Sequence, residues 1–200
     1  MKKCFEVINN LTKFRNFTCT EIKTTVSCKN NPTIIDGTLL IDKCDSIYRK
    51  INLTEDGYRI ITRFKPLWNP DNKTYYILDV SKGLENNRIS LFTENNFLKL
   101  RIYQDNGTEV TIKKRIDKFG LDWKNTEWYR IEMRWWKPSG KIFLNVNGKD
   151  VVGVIVGKIN LNLKNAKLFL GSDMNGENQA FGYFDYIVVA KYVYPELTIT

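Results

Sequence analysis

The sequence predicts an all-β protein, a sandwich or barrel of antiparallel strands, on three observations. First, Tyr129, Ile131, Met133 and Trp135 alternate with Arg130, Glu132, Arg134 and Trp136; Ile142, Leu144 and Val146 alternate likewise with Lys141, Phe143 and Asn145. Period-two alternation marks strands with one buried face. Second, Lys137-Pro138-Ser139-Gly140 joins these runs as a hairpin turn, and Asn147-Gly148 supplies the positive-φ pair leading into a third run, Val151 to Val156. Third, short strands bounded by turn residues recur from Thr33 onward, without a convincing long helical pattern.

Residues 1–32 read as a segment apart. Cys4, Val7, Ile8, Leu11 and Phe14 recur at near-helical spacing, which suggests a short amphipathic helix packed over one end of the sandwich. Glu21 to Cys28 alternates weakly, as a first strand would, and Asn30-Asn31-Pro32 is a breaker. Residues 33–200 are read as the sandwich itself. Leu39 to Ile41 and Ile47 to Leu53 precede a turn at Glu55-Asp56-Gly57. Tyr58 to Leu67 then sets Tyr58, Ile60, Thr62 and Phe64 on one side and Arg59, Ile61, Arg63 and Lys65 on the other. A polar loop, Trp68 to Asn72, leads to Tyr75–Val80, Arg88–Thr93 and Phe97–Gln104. The last of these buries Leu98, Leu100 and Ile102 and faces Lys99, Arg101 and Tyr103 outward; Asp105-Asn106-Gly107 turns into Val110 to Ile116.

Composition narrows the function classes. A chain of 200 residues, 42% hydrophobic and 13% aromatic, supports one substantial core. No apolar run approaches the roughly eighteen residues of a membrane-spanning helix. Lys and Arg exceed Asp and Glu by 31 to 22, and the formal charge of +9 suits an anionic partner. The absence of His removes His-based acid/base chemistry, Ser-His and Cys-His nucleophile pairs and the usual zinc sites.

All four cysteines, Cys4, Cys19, Cys28 and Cys44, fall in the first 44 residues at spacings unlike a zinc motif, and read as two disulfides. Three pairings are possible. Five N-x-T sequons, at Asn10, Asn16, Asn52, Asn72 and Asn106, are candidate glycosylation sites. No signal peptide follows Met1-Lys2-Lys3, but cysteines and sequons together favour an extracellular, cell-surface or virion-surface location.

Several stretches carry a family resemblance. Trp128 with the strand to Trp135, followed by KIFLNVNGK, resembles the laminin G-like branch of the concanavalin A-like lectin-glucanase sandwiches. Leu168-Phe169-Leu170-Gly171-Ser172 is similar to the "iGs" element of that branch, and Phe181 to Val189 to its closing strand. Thr62 to Pro66 stands where the family has an early strand, so the likeness runs from about Thr33 to Tyr192. The resemblance implies a two-sheet antiparallel jelly roll, one sheet of which is concave and often hosts ligand.

If the strands share that sheet, their outward residues form a basic, aromatic-lined groove. Its expected ligand-binding residues are Arg59, Arg63, Arg101, Tyr103, Arg130, Arg134, Trp136 and Phe143, with Lys65, Lys99, Lys141 and Trp128 nearby. Aromatic faces suit sugar rings and guanidinium forks suit carboxylates or sulfates. The expected partner is therefore an acidic polysaccharide or a surface glycoprotein. A plainer reading of the same residues is a solvated face whose Arg and Lys pair with nearby acids.

Hydrolases and lyases of the resembled superfamily use an E-x-D-x-x-E strand or a His-Tyr site, and neither occurs here, so a non-catalytic module is expected. Asp173, Asn175 and Glu177 alternate around Gly176 as oxygen ligands for calcium would, near the rim where laminin G-like domains can carry it; an ordinary polar loop is the alternative, and no other cofactor is implied. The charge alone would suit nucleic acid, but no recognised motif supports it. A structural alternative, a subunit of a surface layer, filament or virus particle, rests on the alternating tail Tyr192 to Thr200, which could join a neighbour's sheet edge as a homo-oligomer.

Overall fold

The computed structural model describes residues 3–4, 17–18, 33–35, 38–42 and 47–192. Its strands in chain order are β1 (Lys3–Cys4), β2 (Phe17–Thr18), β3 (Thr33–Ile35), β4 (Thr38–Ile41), β5 (Ile47–Leu53), β6 (Gly57–Pro66), β7 (Tyr75–Ser81) and β8 (Arg88–Glu94). There follow β9 (Phe97–Tyr103), β10 (Glu109–Arg115), β11 (Tyr129–Trp136), β12 (Lys141–Val146), β13 (Lys149–Ile155), β14 (Leu163–Leu170) and β15 (Gly182–Lys191). No helix occurs among the described residues.

Two large antiparallel sheets carry the fold: a six-stranded one, β10-β9-β8-β7-β14-β5, and a seven-stranded one, β13-β12-β11-β6-β15-β4-β3. The long-range pairing of β6 with β15 and of β7 with β14 makes this a sandwich of interleaved connections rather than a string of hairpins. The β11–β12–β13 meander forms as its alternation requires, with Asn147 at φ 52° and Gly148 at φ 86° in the tight turn. Gly140, at φ 65°, closes the preceding turn against Gly157 so tightly that a Cβ would overlap the Gly157 carbonyl.

The core lies between the sheets. Ile60, Phe64, Ile131, Met133, Trp135, Leu144 and Phe184 come from the seven-stranded sheet and meet Leu78, Val80, Ile89, Leu91, Leu98, Leu100 and Leu168 from the six-stranded one. Trp135 is buried in the core, as its phase requires. One end is closed by aromatic residues from loops: Trp68 stacks on Tyr75 (4.3 Å between centroids) and Trp123 on Tyr129 (4.1 Å). Trp68, expected in a polar loop, is buried there because its indole N–H reaches the Ala180 carbonyl.

The two-residue ladder of β1 with β2 sets Cys4 in a strand where a helix was expected to begin. The rest of that helix, the Glu21–Cys28 strand, Cys19, Cys28, Cys44, the sequons at Asn10 and Asn16, and the tail beyond Tyr192 lie outside the described residues. The side chains of Asn52, Asn72 and Asn106 are exposed. No helix among the described residues is long and apolar enough to cross a membrane.

Candidate functional site

The eight expected ligand residues do not share one surface. Arg59 and Arg63 on β6, Arg130, Arg134 and Trp136 on β11 and Phe143 on β12 occupy the outer face of the seven-stranded sheet, where Arg63 opposes Arg130 and Arg59 opposes Arg134. Arg101 and Tyr103 are on β9, in the other sheet. A single groove made of all eight is therefore corrected to two separate faces. The reason is topological: strand phase fixes which side of its own sheet a residue faces, not which sheet the strand joins.

On the seven-stranded face most of the cations are already committed. Arg63 pairs with Asp185 at 2.7 Å and lies over the Trp128 ring at 4.7 Å. Arg130 pairs with Glu132 at 2.9 Å, and Arg134 pairs with Asp150 while lying over the Phe143 ring at 5.3 Å. Phe143 in turn rests on Gly153, where a Cβ would approach its ring to 2.5 Å. Arg59 is the exception: its Nε is buried without a hydrogen-bond partner, and it has no carboxylate partner among the described residues. Sequence alternation also missed that Glu132 is buried between its two arginines, which makes it the anchor of this face.

The outer face of the six-stranded sheet is built differently. Pairing brings Thr111, Arg101, Ser90, Asp79, Phe169 and Tyr48 into one row across all six strands. The next row holds Lys113, Lys99, Phe92 and Tyr76. Tyr76, Phe92 and Phe169 are buried, yet they stand outside the core cluster, on the opposite side of their sheet. Tyr76 stacks on Phe92 at 4.9 Å, Arg101 covers Phe92 at 4.7 Å, Arg88 lies over Tyr76 at 5.5 Å, and Lys167 lies over Tyr48 at 4.5 Å. Cations over aromatic faces gain from the ring quadrupole, more so when partly desolvated.

A buried polar group organises the centre of this face. Asp79 Oδ1 accepts a hydrogen bond from Arg88 Nε (2.9 Å) and another from Ser90 Oγ (2.7 Å), and Arg88 also reaches Glu85 at 2.7 Å. Burial pushes the Asp79 carboxyl above its ordinary range, while Arg88, Ser90 and the Met174 backbone favour its charged form. Burial is the largest single influence and works against the Arg88 charge, but the bond to Asp79 together with the charges of Asp79, Tyr76 and Glu85 holds the guanidinium above the usual arginine value. The 171–181 loop packs beside this group, with Ser81 Oγ donating to Met174 Sδ at 3.2 Å.

Toward β9 and β10 the face opens. Arg101 Nε stands 3.3 Å from Glu109 and 3.4 Å from Thr111 Oγ1, and its NH1 stands 3.4 Å from the Tyr103 hydroxyl. These are long contacts for a guanidinium, whose charge-assisted bonds shorten to about 2.7–2.9 Å with a good partner. Glu109 is held below the usual carboxylate range, chiefly by the Thr111 hydroxyl, so it stays charged beside Arg101. Lys99 pairs with Glu94, and Lys113 lies exposed over the Phe97 ring at 5.0 Å. Arg101 is thus positioned by the sheet but weakly engaged. Arg88, Asp79, Phe92 and Tyr76 were not singled out from sequence, although charges inside the nearly continuous apolar runs YYILDVS and RISLFTE were the signal available.

The proposed calcium loop has another organisation. Asp173 is buried; its Oδ1 accepts the Asn175 and Glu177 amides at 3.0 and 2.8 Å, and its Oδ2 accepts the Asn178 side chain at 2.9 Å. Its carboxylate holds the turn, and no three acidic or cysteine side chains among the described residues converge as a metal would need. Asp173, Asn175 and Glu177 thus sit in a loop organised by hydrogen bonds to the Asp173 carboxylate. A cleft of about 460 Å³ is lined by Asp56, Lys137, Pro138 and residues 158–161, and its Asn160 is bonded to Gln104 and Asp105 just beyond β9.

No protein-family model matches the sequence. An uncharacterized protein of Archaeoglobus fulgidus is 29% identical over 167 residues, covering 82% of this chain and 62% of its own length. Among solved structures, the ligand-binding domain of botulinum neurotoxin serotype D, in complex with N-acetylneuraminic acid, superposes with TM-score 0.64 at 12% identity, over 96% of this chain and 48% of that one. The Ruminococcus gnavus IT-sialidase CBM40 bound to α2,3-sialyllactose gives TM-score 0.54 at 13% identity, over 74% and 94%. Domains LG4-5 of the mouse laminin α1 chain give 0.58 at 13%, over 86% and 46%. The chain thus spans about half of the toxin and laminin structures and under two thirds of the archaeal relative. At these identities the likeness establishes architecture: the chain has the two-sheet antiparallel β-sandwich fold that these toxin, carbohydrate-binding and laminin G structures share.

Proposed function

We propose that the protein is a non-catalytic carbohydrate-recognition module that binds anionic glycans through the open half of the six-stranded face, at Arg101, Tyr103, Lys99 and Thr111. One observation carries the reading: Arg101 is fixed over Phe92 but makes only contacts of 3.3–3.4 Å with its polar neighbours. A sugar carboxylate or sulfate offers that guanidinium a shorter, bidentate partner. Tyr103 and Thr111 beside it supply a ring face and hydroxyls for the sugar body. The buried Arg88–Asp79–Ser90 group fixes the floor, so little ordering is needed on binding. The solved structures of similar fold that are named for N-acetylneuraminic acid and sialyllactose support an acidic sugar as the ligand class.

The non-catalytic part is supported by the engagement of the central carboxylate: Asp79 is held by Arg88 and Ser90 and serves as a structural acceptor. An extracellular or surface setting accords with this ligand class, with the exposed sequons at Asn52, Asn72 and Asn106, and with the reading of the four cysteines as disulfide-formers. Arg59 favours a second reading in which the seven-stranded face takes the anion, since its Nε is buried there without a hydrogen-bond partner.

Retention on immobilised sialylated and uronate glycans, beside a neutral glycan of equal length, tests the proposal at two salt concentrations. Anionic glycans should retain the protein at low salt and release it steeply as salt rises. Equal retention on the neutral glycan would remove the acidic specificity, and no retention on any glycan would remove the function.

A further inference from the structure

We propose that the 116–123 loop is a membrane-contact site that inserts Phe119 into the surface of an anionic bilayer. Phe119 is 74% exposed, the most exposed large apolar residue among those described. It is not there because the loop is loose. Asp117 Oδ1 accepts the Phe119 amide at 3.1 Å, Gly120 and Asp122 donate to the Asp117 carbonyl, and Leu121 donates to that of Arg115. The loop is pinned at both ends by the buried Ile116 and Trp123, and a Cβ on Gly120 would strike the Arg115 backbone. A rigid loop thus holds an apolar ring out in water, where it gains nothing for the fold.

The surroundings of the ring identify the occupant. Arg115 lies within 5.7 Å of the Phe97 ring and 5.5 Å of the Phe119 ring; Lys113 lies over Phe97 at 5.0 Å and Lys118 over Phe119 at 5.0 Å. Two aromatic rings therefore alternate with three cations, and Lys114 and Lys124 follow within the same stretch. The acids there are spent: Asp117 pairs with Arg115 and Asp122 with Lys124 at 3.0 Å. Rings that sit at headgroup depth, ringed by cations that meet anionic lipid phosphates and carboxylates, are the pattern of interfacial binding. A protein partner is the other occupant such a patch could take, and the experiment separates the two.

The test is co-flotation of the full chain with glycan-free vesicles of phosphatidylcholine, with and without phosphatidylserine. Binding is expected only with phosphatidylserine. Phe119→Ser should weaken it by about tenfold, and Lys113→Gln with Lys118→Gln by about thirtyfold. Leu84→Ser, 66% exposed on the hairpin at the opposite end, should leave binding unchanged. Arg101→Gln should also leave it unchanged, which separates this site from the glycan reading. Absence of binding to phosphatidylserine vesicles overturns the proposal and leaves a protein partner as the occupant. So does binding that is equal in wild type and Phe119→Ser.

Discussion

Removing the Arg88 side chain as Arg88→Met is the sharpest test of how the six-stranded face is built. The substitution keeps much of the aliphatic stem over Tyr76 but strips Asp79 of its charged partner. Asp79 is fully buried and Arg88 only 5% exposed, so solvent cannot replace the lost bond. Breaking one side of such a pair costs about 3–5 kcal/mol, because a carboxylate is left buried without its counter-charge. In a chain of this size that lowers the melting temperature by roughly 10 °C. The Glu85 contact adds little, since Glu85 is largely exposed. Asp79→Leu combined with Arg88→Met removes both charges, leaves Ser90 and the Met174 backbone without their acceptor, and should cost about 1–2 kcal/mol. Urea unfolding of the two single variants and the double variant measures the coupling. A double variant as unstable as the sum of the singles would refute the pair as a mutually dependent unit.

Other outcomes follow from groups near the sandwich ends. Burial, aided by the hydrogen bond it donates to Asp71, pushes the Tyr75 hydroxyl up to about 12. The neutral form is thus favoured in the folded state: its contribution is intact below the unfolded value of roughly 10 and fades as pH rises toward 12. Tyr75→Phe should flatten that part of the stability-versus-pH curve, and an unchanged slope would contradict the assignment. Trp68→Phe should cost about 1–2 kcal/mol more than Trp123→Phe in thermal unfolding. Trp68 donates to the Ala180 carbonyl, whereas the Trp123 N–H is buried without an acceptor, so equal losses would show that stacking alone sets both.

Much of the fold was legible in the sequence because side-chain direction in a strand is a local property. The inward sets Ile60–Phe64 and Ile131–Trp135 read correctly from alternation, and Asn147-Gly148 from its dipeptide. The site was legible only in part. Arg101 and Tyr103 were rightly placed outward, but their assignment to the same surface as Arg130 and Arg134 needed strand order, which depends on contacts far apart in the chain. Asp79, Arg88 and Phe92 were hidden for another reason. Strands β7 and β8 are buried on both faces over nearly their whole length, so alternation vanishes and the outer set cannot be told from the inner one. Trp68 and Trp123 lie in loops, where no periodicity exists to read. The Asp173 stretch is ambiguous for another reason: alternating oxygen side chains suit a cation, and equally a turn whose own amides take the carboxylate.

The proposed anion site lies on the six-stranded sheet, at Arg101. The most direct measurement compares the affinity of wild type, Arg101→Gln and Arg59→Gln for α2,3-sialyllactose in an NMR titration. Losing a charge-assisted pair should weaken Arg101→Gln by about tenfold or more, while Arg59→Gln, on the opposite sheet, stays close to wild type. Loss of binding in Arg59→Gln with Arg101→Gln unaffected would contradict the claim and move the site to the seven-stranded face.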